Sequence, residues 1–398
     1  MRVGIHFGDY VPQAGGAHTF VGDILAAFAE KAESSQHYFV VFCNPVAADA
    51  VLAKTRASNL SVVVVKSPTR FWKLVAGLKY LSPVVRLFWR RPGKFERLAR
   101  AHDVELLWFV GVGVYDSLDI PYIATIWDLQ HRLQPFFPEV SGRGLWDQRE
   151  LITGYFLRRA AYCITGTEAG KREIERFYQL SEERIKVIPF PTPRFALDNR
   201  AQTVDLQKRF GISRKFIIYP AQFWPHKNHV NLVLALKLLR DRGDVDIVLV
   251  LPGSDKGNLE FVKNICKELG MTDRVVFPGF VSADELIALY RHAEALVFVT
   301  YFGPDNIPPL EAFALNCPVI ASDVEGAAEQ YGDAALLVNP SDPADIGRAL
   351  VSVLNDRPLR EKLVAAGLDR AGRWTSSRYV EEAFRILDEF SVIRRNWP

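Results

Sequence analysis

Two stretches of this chain place charged side chains where a turn runs into a helix, the geometry that suits binding of a phosphate ester. The first is Tyr301-Phe302-Gly303-Pro304-Asp305-Asn306-Ile307-Pro308-Pro309-Leu310-Glu311-Ala312. A strand over 295–300 feeds this glycine- and proline-rich turn, and a helix over 310–315 leaves it. Pro308 and Pro309 suit a first helical turn, where the N–H groups lack intrahelical partners anyway. Unpaired amides at such an N-terminus attract phosphate oxygens, and Asn306, Ile307 and Leu310 can supply them, whereas the two prolines donate none. Glu311 is mildly favoured there by the helix dipole alone. A carboxylate accepting two bonds at once also suits a ribose diol.

The second stretch follows a short apolar strand over 216–219 and reads Pro220-Ala221-Gln222-Phe223-Trp224-Pro225-His226-Lys227-Asn228-His229 before a helix over 231–240. Lys227 sits near a helix start, where a cation is disfavoured unless an anion is present. Beyond the first stretch come Val319-Ile320-Ala321-Ser322-Asp323, Glu325-Gly326 and a strand in Gly332-Asp333-Ala334-Ala335-Leu336-Leu337-Val338.

In this order, from about residue 210 to 390, the motifs resemble the C-terminal domain of the large family of retaining nucleotide-sugar glycosyltransferases of group 1. The N-terminal half matches more loosely. The resemblance implies an α/β chain of GT-B architecture, two Rossmann-like doubly wound parallel-sheet domains facing a cleft. It makes Lys227 the lysine of an Arg-x4-Lys pattern that neutralises the donor diphosphate, with Gln222 where the arginine usually stands and His226 or His229 left to compensate. It makes Glu311 the second of two glutamates separated by seven residues, the one that holds the ribose; Gly303 occupies the place of the first, so Asp305 or Asn306 is left to supply that acceptor. Gly15 and Gly16, after the first strand, are expected to pack close to the diphosphate and acceptor, a proximity that only glycine permits. Thr125-Ile126-Trp127-Asp128-Leu129-Gln130-His131 stands where the family reads Thr-Ile-His-Asp, with Trp127 at the histidine position. Asp128 or His131 is then expected to contact the donor sugar or acceptor, although a turn or core role would use the same residues.

These residues need a scaffold, and the pattern supplies one. Apolar strands over 3–7, 38–43, 61–65, 104–109, 122–126, 162–165 and 186–188 alternate with helical periods, the signature of a parallel sheet covered on both faces. The alternation restarts at Phe216 after the proline-dense Pro189-Phe190-Pro191-Thr192-Pro193. The expected units are an acceptor-side domain over 1–195, a nucleotide-sugar-binding domain over 205–375, and a segment over 376–398. That last segment is amphipathic through Tyr379, Ala383, Phe384, Ile386, Leu387 and Phe390. In GT-B members such a helix crosses back onto the first domain; the pattern alone fits a last helix of the second equally well.

A chain of 398 residues that is 49% hydrophobic can bury two cores. Cys43, Cys163, Cys266 and Cys317 sit without paired spacing in apolar contexts, which reads as buried thiols in a reducing compartment. No apolar run reaches the roughly 20 residues a membrane span needs, and the chain is expected to be cytoplasmic. A net charge of +3 does not point to nucleic acid. Between Lys66 and Arg100, however, ten basic residues face one acid, Glu96, with Phe71, Trp72, Phe88 and Trp89 interleaved, a composition that suits an anionic membrane surface. Asp244-Val245-Asp246 spells a metal-binding Asp-x-Asp, yet it lies between a helix end and a strand and reads as a turn, so neither metal nor cofactor is expected.

The resemblance therefore implies a metal-independent retaining hexosyltransferase, with GDP-mannose as first donor and a glycan or lipid-linked acceptor. A nucleotide-sugar 2-epimerase of the same fold is the enzymatic rival. From another class, the missing histidine, arginine and first glutamate suit a non-catalytic nucleotide-sugar-binding partner.

Overall fold

The structure is a computed structural model that describes residues 1–8, 16–45, 47–49, 57–65, 93–111, 118–198, 200, 203–303 and 305–397. The chain forms two compact units. One comprises Met1–Pro135, Val140–Pro189 and Ser376–Pro398, the other Phe136–Glu139 and Phe190–Thr375.

The first unit holds strands β1 (Arg2–His6), β2 (Tyr38–Cys43), β3 (Leu60–Val64), β4 (Leu106–Phe109), β5 (Tyr122–Thr125), β6 (Tyr162–Thr165) and β7 (Ile185–Val187). They form a parallel sheet of order β3-β2-β1-β4-β5-β6-β7. Segments such as Leu-Leu-Trp-Phe in β4 are buried throughout because helices cover both faces, so the strands read as unbroken apolar runs. Helix Gly16–Lys31 and helix Ser376–Arg394 pack together beside this sheet. Phe384 stacks on Phe39 of β2 at 5.2 Å and meets Phe28 at 6.1 Å, while Tyr379 meets Phe20 at 5.4 Å. Polar ties fix the helix ends: Lys31 to Glu381 at 2.6 Å, and Tyr162 and Lys186 both to Glu389 at 2.9 Å.

The second unit holds β8 (Phe216–Ile218), β9 (Val248–Pro252), β10 (Val275–Gly279), β11 (Leu296–Phe298), β12 (Val319–Ser322) and β13 (Ala335–Val338). Its parallel sheet has the order β10-β9-β8-β11-β12-β13, the strand order of a doubly wound dinucleotide-binding fold. β10 joins the strands anticipated from the sequence, and helix His229–Arg242 begins earlier than its apolar period suggests. That early start puts His229 inside the helix, since Asn228 adopts a left-handed φ of 59° at its N-cap. Among the described residues no helix is long and apolar enough to cross a membrane.

Asp244-Val245-Asp246 forms the turn between helix His229–Arg242 and β9, with the Asp244 amide closing back on the Leu239 carbonyl at 3.0 Å. The exposed Asp246 carboxylate pairs with Arg274 and, at 3.8 Å, with Arg214. Residues 66–92 of the basic stretch lie outside the described residues, as does Gly15; Lys94, Arg97 and Arg100 lie on helix Lys94–Ala101, where Arg100 holds the buried Glu96 at 2.7 Å.

Candidate functional site

β8 and β11 are neighbours, but successive strands are laid outward from them in opposite directions. At such a break the loops leaving the strand carboxyl ends part, and ligands bind in the gap. The loop leaving β8 carries Lys227, and the loop leaving β11 leads into Glu311.

In the first loop Pro225–Lys227 forms one 3-10 turn, and the Asn228 side chain donates to the carbonyls of Val299 at 2.9 Å and Pro340 at 2.7 Å. The Tyr219 hydroxyl donates to the Lys227 carbonyl at 2.7 Å, so the lysine backbone is fixed from below. The Lys227 ammonium lies 5.2 Å from the centre of the Phe298 ring, within cation–π range. Gln222 has its side-chain carbonyl engaged by the Trp224 indole at 3.0 Å. His229 is buried between Phe223 and Tyr219, stacked on them at 4.5 and 5.1 Å. Burial first, then the positive charge of Lys227 and of His226, pushes its pKa down to about 3, so it is neutral at physiological pH.

In the second loop Gly303 comes so close to residues 324–325 that a Cβ on it would lie 2.6 Å from the Glu325 carbonyl oxygen. This approach explains why no carboxylate stands at 303: any side chain there would collide with that backbone. Asn306 is held by Gln330, which accepts from its amide at 3.0 Å and donates to its carbonyl at 2.9 Å. The Asn306 side chain in turn donates to the Phe302 carbonyl at 3.1 Å. Asp305, half-buried, precedes this lock. Ile307 opens helix Ile307–Ala314 with Pro308 and Pro309 in its first turn, as the sequence suggests, and Leu310 is buried in the core. Glu311 is buried too, and the Tyr290 hydroxyl donates to its Oε2 at 2.7 Å. Burial and the neighbouring Glu311 charge raise the Tyr290 pKa well above its ordinary value, which keeps the phenol a donor.

Four residues contributed from far along the chain complete this unit. The segment Phe136–Glu139 lies on it, with Phe137 against Tyr301 at 5.8 Å and Phe302 at 5.4 Å. Glu139 accepts from the His226 amide at 2.9 Å and lies 2.5 Å from its Nδ1. Burial alone would raise the Glu139 pKa, but the His226 bonds outweigh it and hold the carboxyl below its usual range. Glu139, Phe137, Gln330 and Tyr290 escaped the sequence reading; the Glu139–His226 contact spans 87 residues, and no local pattern marks it.

In the first unit Asp128, Trp127 and His131 follow β5. Asp128 is partly exposed and accepts from the Gln130 amide at 3.0 Å and Arg149 at 2.9 Å. His131 has no exposed surface; its Nε2 lies 3.3 Å from Glu150 and 3.2 Å from the Tyr178 hydroxyl. Arg132 also pairs with Glu150, and the four side chains form one internal network. Burial, then the Arg149 charge, lowers the His131 pKa despite Glu150. Gly16 begins helix Gly16–Lys31.

Parallel doubly wound sheets in two units, with loops parting at a switch point, define a chain of GT-B architecture. Residues 205–370 match the family described as Glycosyl transferases group 1. It is similar to an uncharacterized glycosyltransferase of Methanocaldococcus jannaschii, 24% identical over 64% of this chain and 66% of that one. It is also similar to the O-antigen chain mannosyltransferase RfbU of Salmonella typhimurium, 28% identical over 47% of this chain and 49% of the relative. The chain thus spans from about half to just under two thirds of these relatives' length. The fold matches Anabaena HepE in complex with UDP-glucose, with a TM-score of 0.68 and 17% identity over 98% of this chain and 100% of that chain.

Proposed function

We propose that the chain transfers a hexosyl group, mannose first among candidates, from a nucleoside diphosphate sugar to a glycan or lipid-linked acceptor, with retention and without a metal ion. The observation that carries this is the placement of Lys227 and Glu311 on the two loops that part at the β8–β11 break. In this reading the bond from the sugar C1 to the diphosphate breaks, and a bond from the acceptor hydroxyl oxygen to C1 forms on the same face. The acceptor proton passes to a departing diphosphate oxygen, so no protein base is required. Lys227 and the Ile307 amide that opens helix Ile307–Ala314 stabilise the charge that develops on the diphosphate, the Asn306 amide being already given to Gln330. Glu311, its orientation set by Tyr290, accepts from the ribose hydroxyls. Gln222, Asp305 and Asn306 line the donor site, and Gly15 and Gly16 are assigned to it on the sequence resemblance alone. Of the two first-unit candidates, the partly exposed Asp128 is assigned to contact the donor sugar or acceptor, and His131, enclosed with Glu150 and Tyr178, is not. The mannosyltransferase relative favours mannose, and the UDP-glucose complex of a fold neighbour favours a nucleotide-sugar donor. The same reading puts the protein in the cytoplasm, at the inner membrane face if the acceptor is lipid-linked.

The test is turnover of a panel of UDP- and GDP-sugars by purified protein in a strong chelator, with the product anomer assigned by NMR. Retained product is expected from at least one donor. Lys227→Ala and Glu311→Ala should each lower kcat/KM about tenfold to a hundredfold, the loss of one charge-assisted bond. Full activity of either folded variant at subsaturating donor overturns the placement of the diphosphate and ribose. An inverted product overturns retention, activity restored only by added magnesium or manganese overturns metal independence, and conversion of the donor without acceptor selects the epimerase.

A further inference from the structure

His226 is engaged through its amide, its ring and its carbonyl. Its amide and its ring Nδ1 both reach one oxygen of Glu139, at 2.9 and 2.5 Å. Its ring lies flat on Phe302, 3.8 Å between centroids and 7° between planes. Its carbonyl accepts from the Tyr301 amide at 2.9 Å and from the Thr300 hydroxyl at 3.3 Å. The residue immediately after it is Lys227. His226 is therefore the point where the loop leaving β8 is fastened to the loop leaving β11, and Glu139 is the group that sets its ring. The segment that brings Glu139 is anchored to the same place, since Phe137 packs on Tyr301, Phe302 and His226.

We infer that the four-residue segment Phe136–Glu139 is a positioning element of the donor site, and that Glu139 acts through His226 to hold the Lys227 backbone where its ammonium meets the diphosphate. A carboxylate with one buried oxygen devoted to a single histidine is expensive unless the geometry it enforces is used. The Glu139 side chain is only 5% exposed, and the second oxygen is buried without a hydrogen-bond partner among the described residues, so its contribution is concentrated in the His226 contact. Removing it leaves the His226 amide and ring without their acceptor, and the turn can then relax. Displacing a charged contact by about an ångström costs on the order of a hundredfold in catalysis. Glu139 touches no reacting atom in this account and is a positioning residue, not a catalytic one.

The inference rests on the donor-site reading above, and a double-mutant cycle separates the two. Binding of UDP, GDP and ADP by calorimetry is measured for the parent, Glu139→Ala, Glu139→Gln, Lys227→Ala and the Glu139→Ala/Lys227→Ala pair, with urea unfolding run on each. Against the nucleotide that binds the parent, Glu139→Ala should weaken affinity about tenfold. Glu139→Gln, which keeps an acceptor oxygen, should weaken it less. In the Lys227→Ala background the Glu139 substitution should change affinity by less than about twofold, because its effect passes through the lysine. A merely structural role would lower stability equally in both backgrounds and leave the two affinity effects multiplicative. Parent-like affinity of Glu139→Ala, or full multiplicativity, overturns the inference and leaves the site reading standing. A parent that binds none of the three nucleotides overturns both.

Discussion

Lys227 and Glu311 come from loops on opposite sides of one break in a sheet, and each is held in a different way. Glu311 is buried and oriented by a single phenol, whereas Lys227 is oriented through its backbone, by Tyr219 below and by the His226 turn before it. Sequence could mark both residues because their local setting, a strand, a turn and a helix start, is continuous in the chain. It could not mark Glu139 or Gln330, whose contacts lie 87 and 24 residues away. His229 gives this scale its own prediction. Its folded pKa of about 3 lies below the roughly 6.5 of an exposed histidine, so the unfolded chain takes up a proton that the folded chain refuses. The stability it permits is complete above about pH 6.5 and is lost as the pH falls toward 3, at up to about 1.4 kcal/mol per unit. From pH 7 to 5 this amounts to about 2 kcal/mol. His229→Phe, which preserves a flat ring between Phe223 and Tyr219, should lose about that much less than the parent over the same interval in urea unfolding. Equal losses would show that His229 is not the group responsible.

Among the elements, helix Ser376–Arg394 shows how pattern and partner divide. All six apolar residues that mark its face, Tyr379, Ala383, Phe384, Ile386, Leu387 and Phe390, are buried. The period identifies the buried side because only one stripe of a helix can leave water. It says nothing of what covers that stripe, and the sequence left two covers open. In the structure the stripe lies in the first unit, against Phe20, Phe28 and Phe39. Phe384→Ala should therefore cost about 3 to 5 kcal/mol, the usual loss for a large aromatic side chain removed from a packed core. The loss should fall on the first unit alone, seen as a transition that moves to lower temperature while nucleotide-dependent stabilisation of the second unit persists. An unchanged first transition would mean the stripe contributes little to that core.

At the scale of the whole molecule, the proposed transferase needs a surface on which to meet its acceptor. The basic and aromatic stretch from Lys66 to Arg100 is the segment proposed to meet an anionic surface or a lipid-linked acceptor. Each cation near such a surface adds about 1 kcal/mol, and salt screens the attraction within a Debye length. The full chain should bind anionic vesicles at low salt and leave them as salt rises, and neutralising Arg86, Arg90, Arg91 and Lys94 together should abolish that binding. Vesicle binding equal to the parent's would reduce the stretch to a solvated surface. What the sequence determined by itself is whatever depends on neighbours along the chain. Apolar runs of strand length alternating with helical periods determined two parallel-sheet domains, because strands covered on both faces must be apolar throughout. Proline and glycine punctuation determined where the turns carrying Lys227 and Glu311 fall. Tertiary structure decided the rest: that Gly303 lies too close to residues 324–325 to carry a side chain, that His131 is enclosed with Glu150 and Tyr178, and that Glu139 reaches His226. These depend on which distant segments meet, and packing at near-crystalline density fixes such meetings by shape and burial across the whole fold, not by any pattern within a window of sequence.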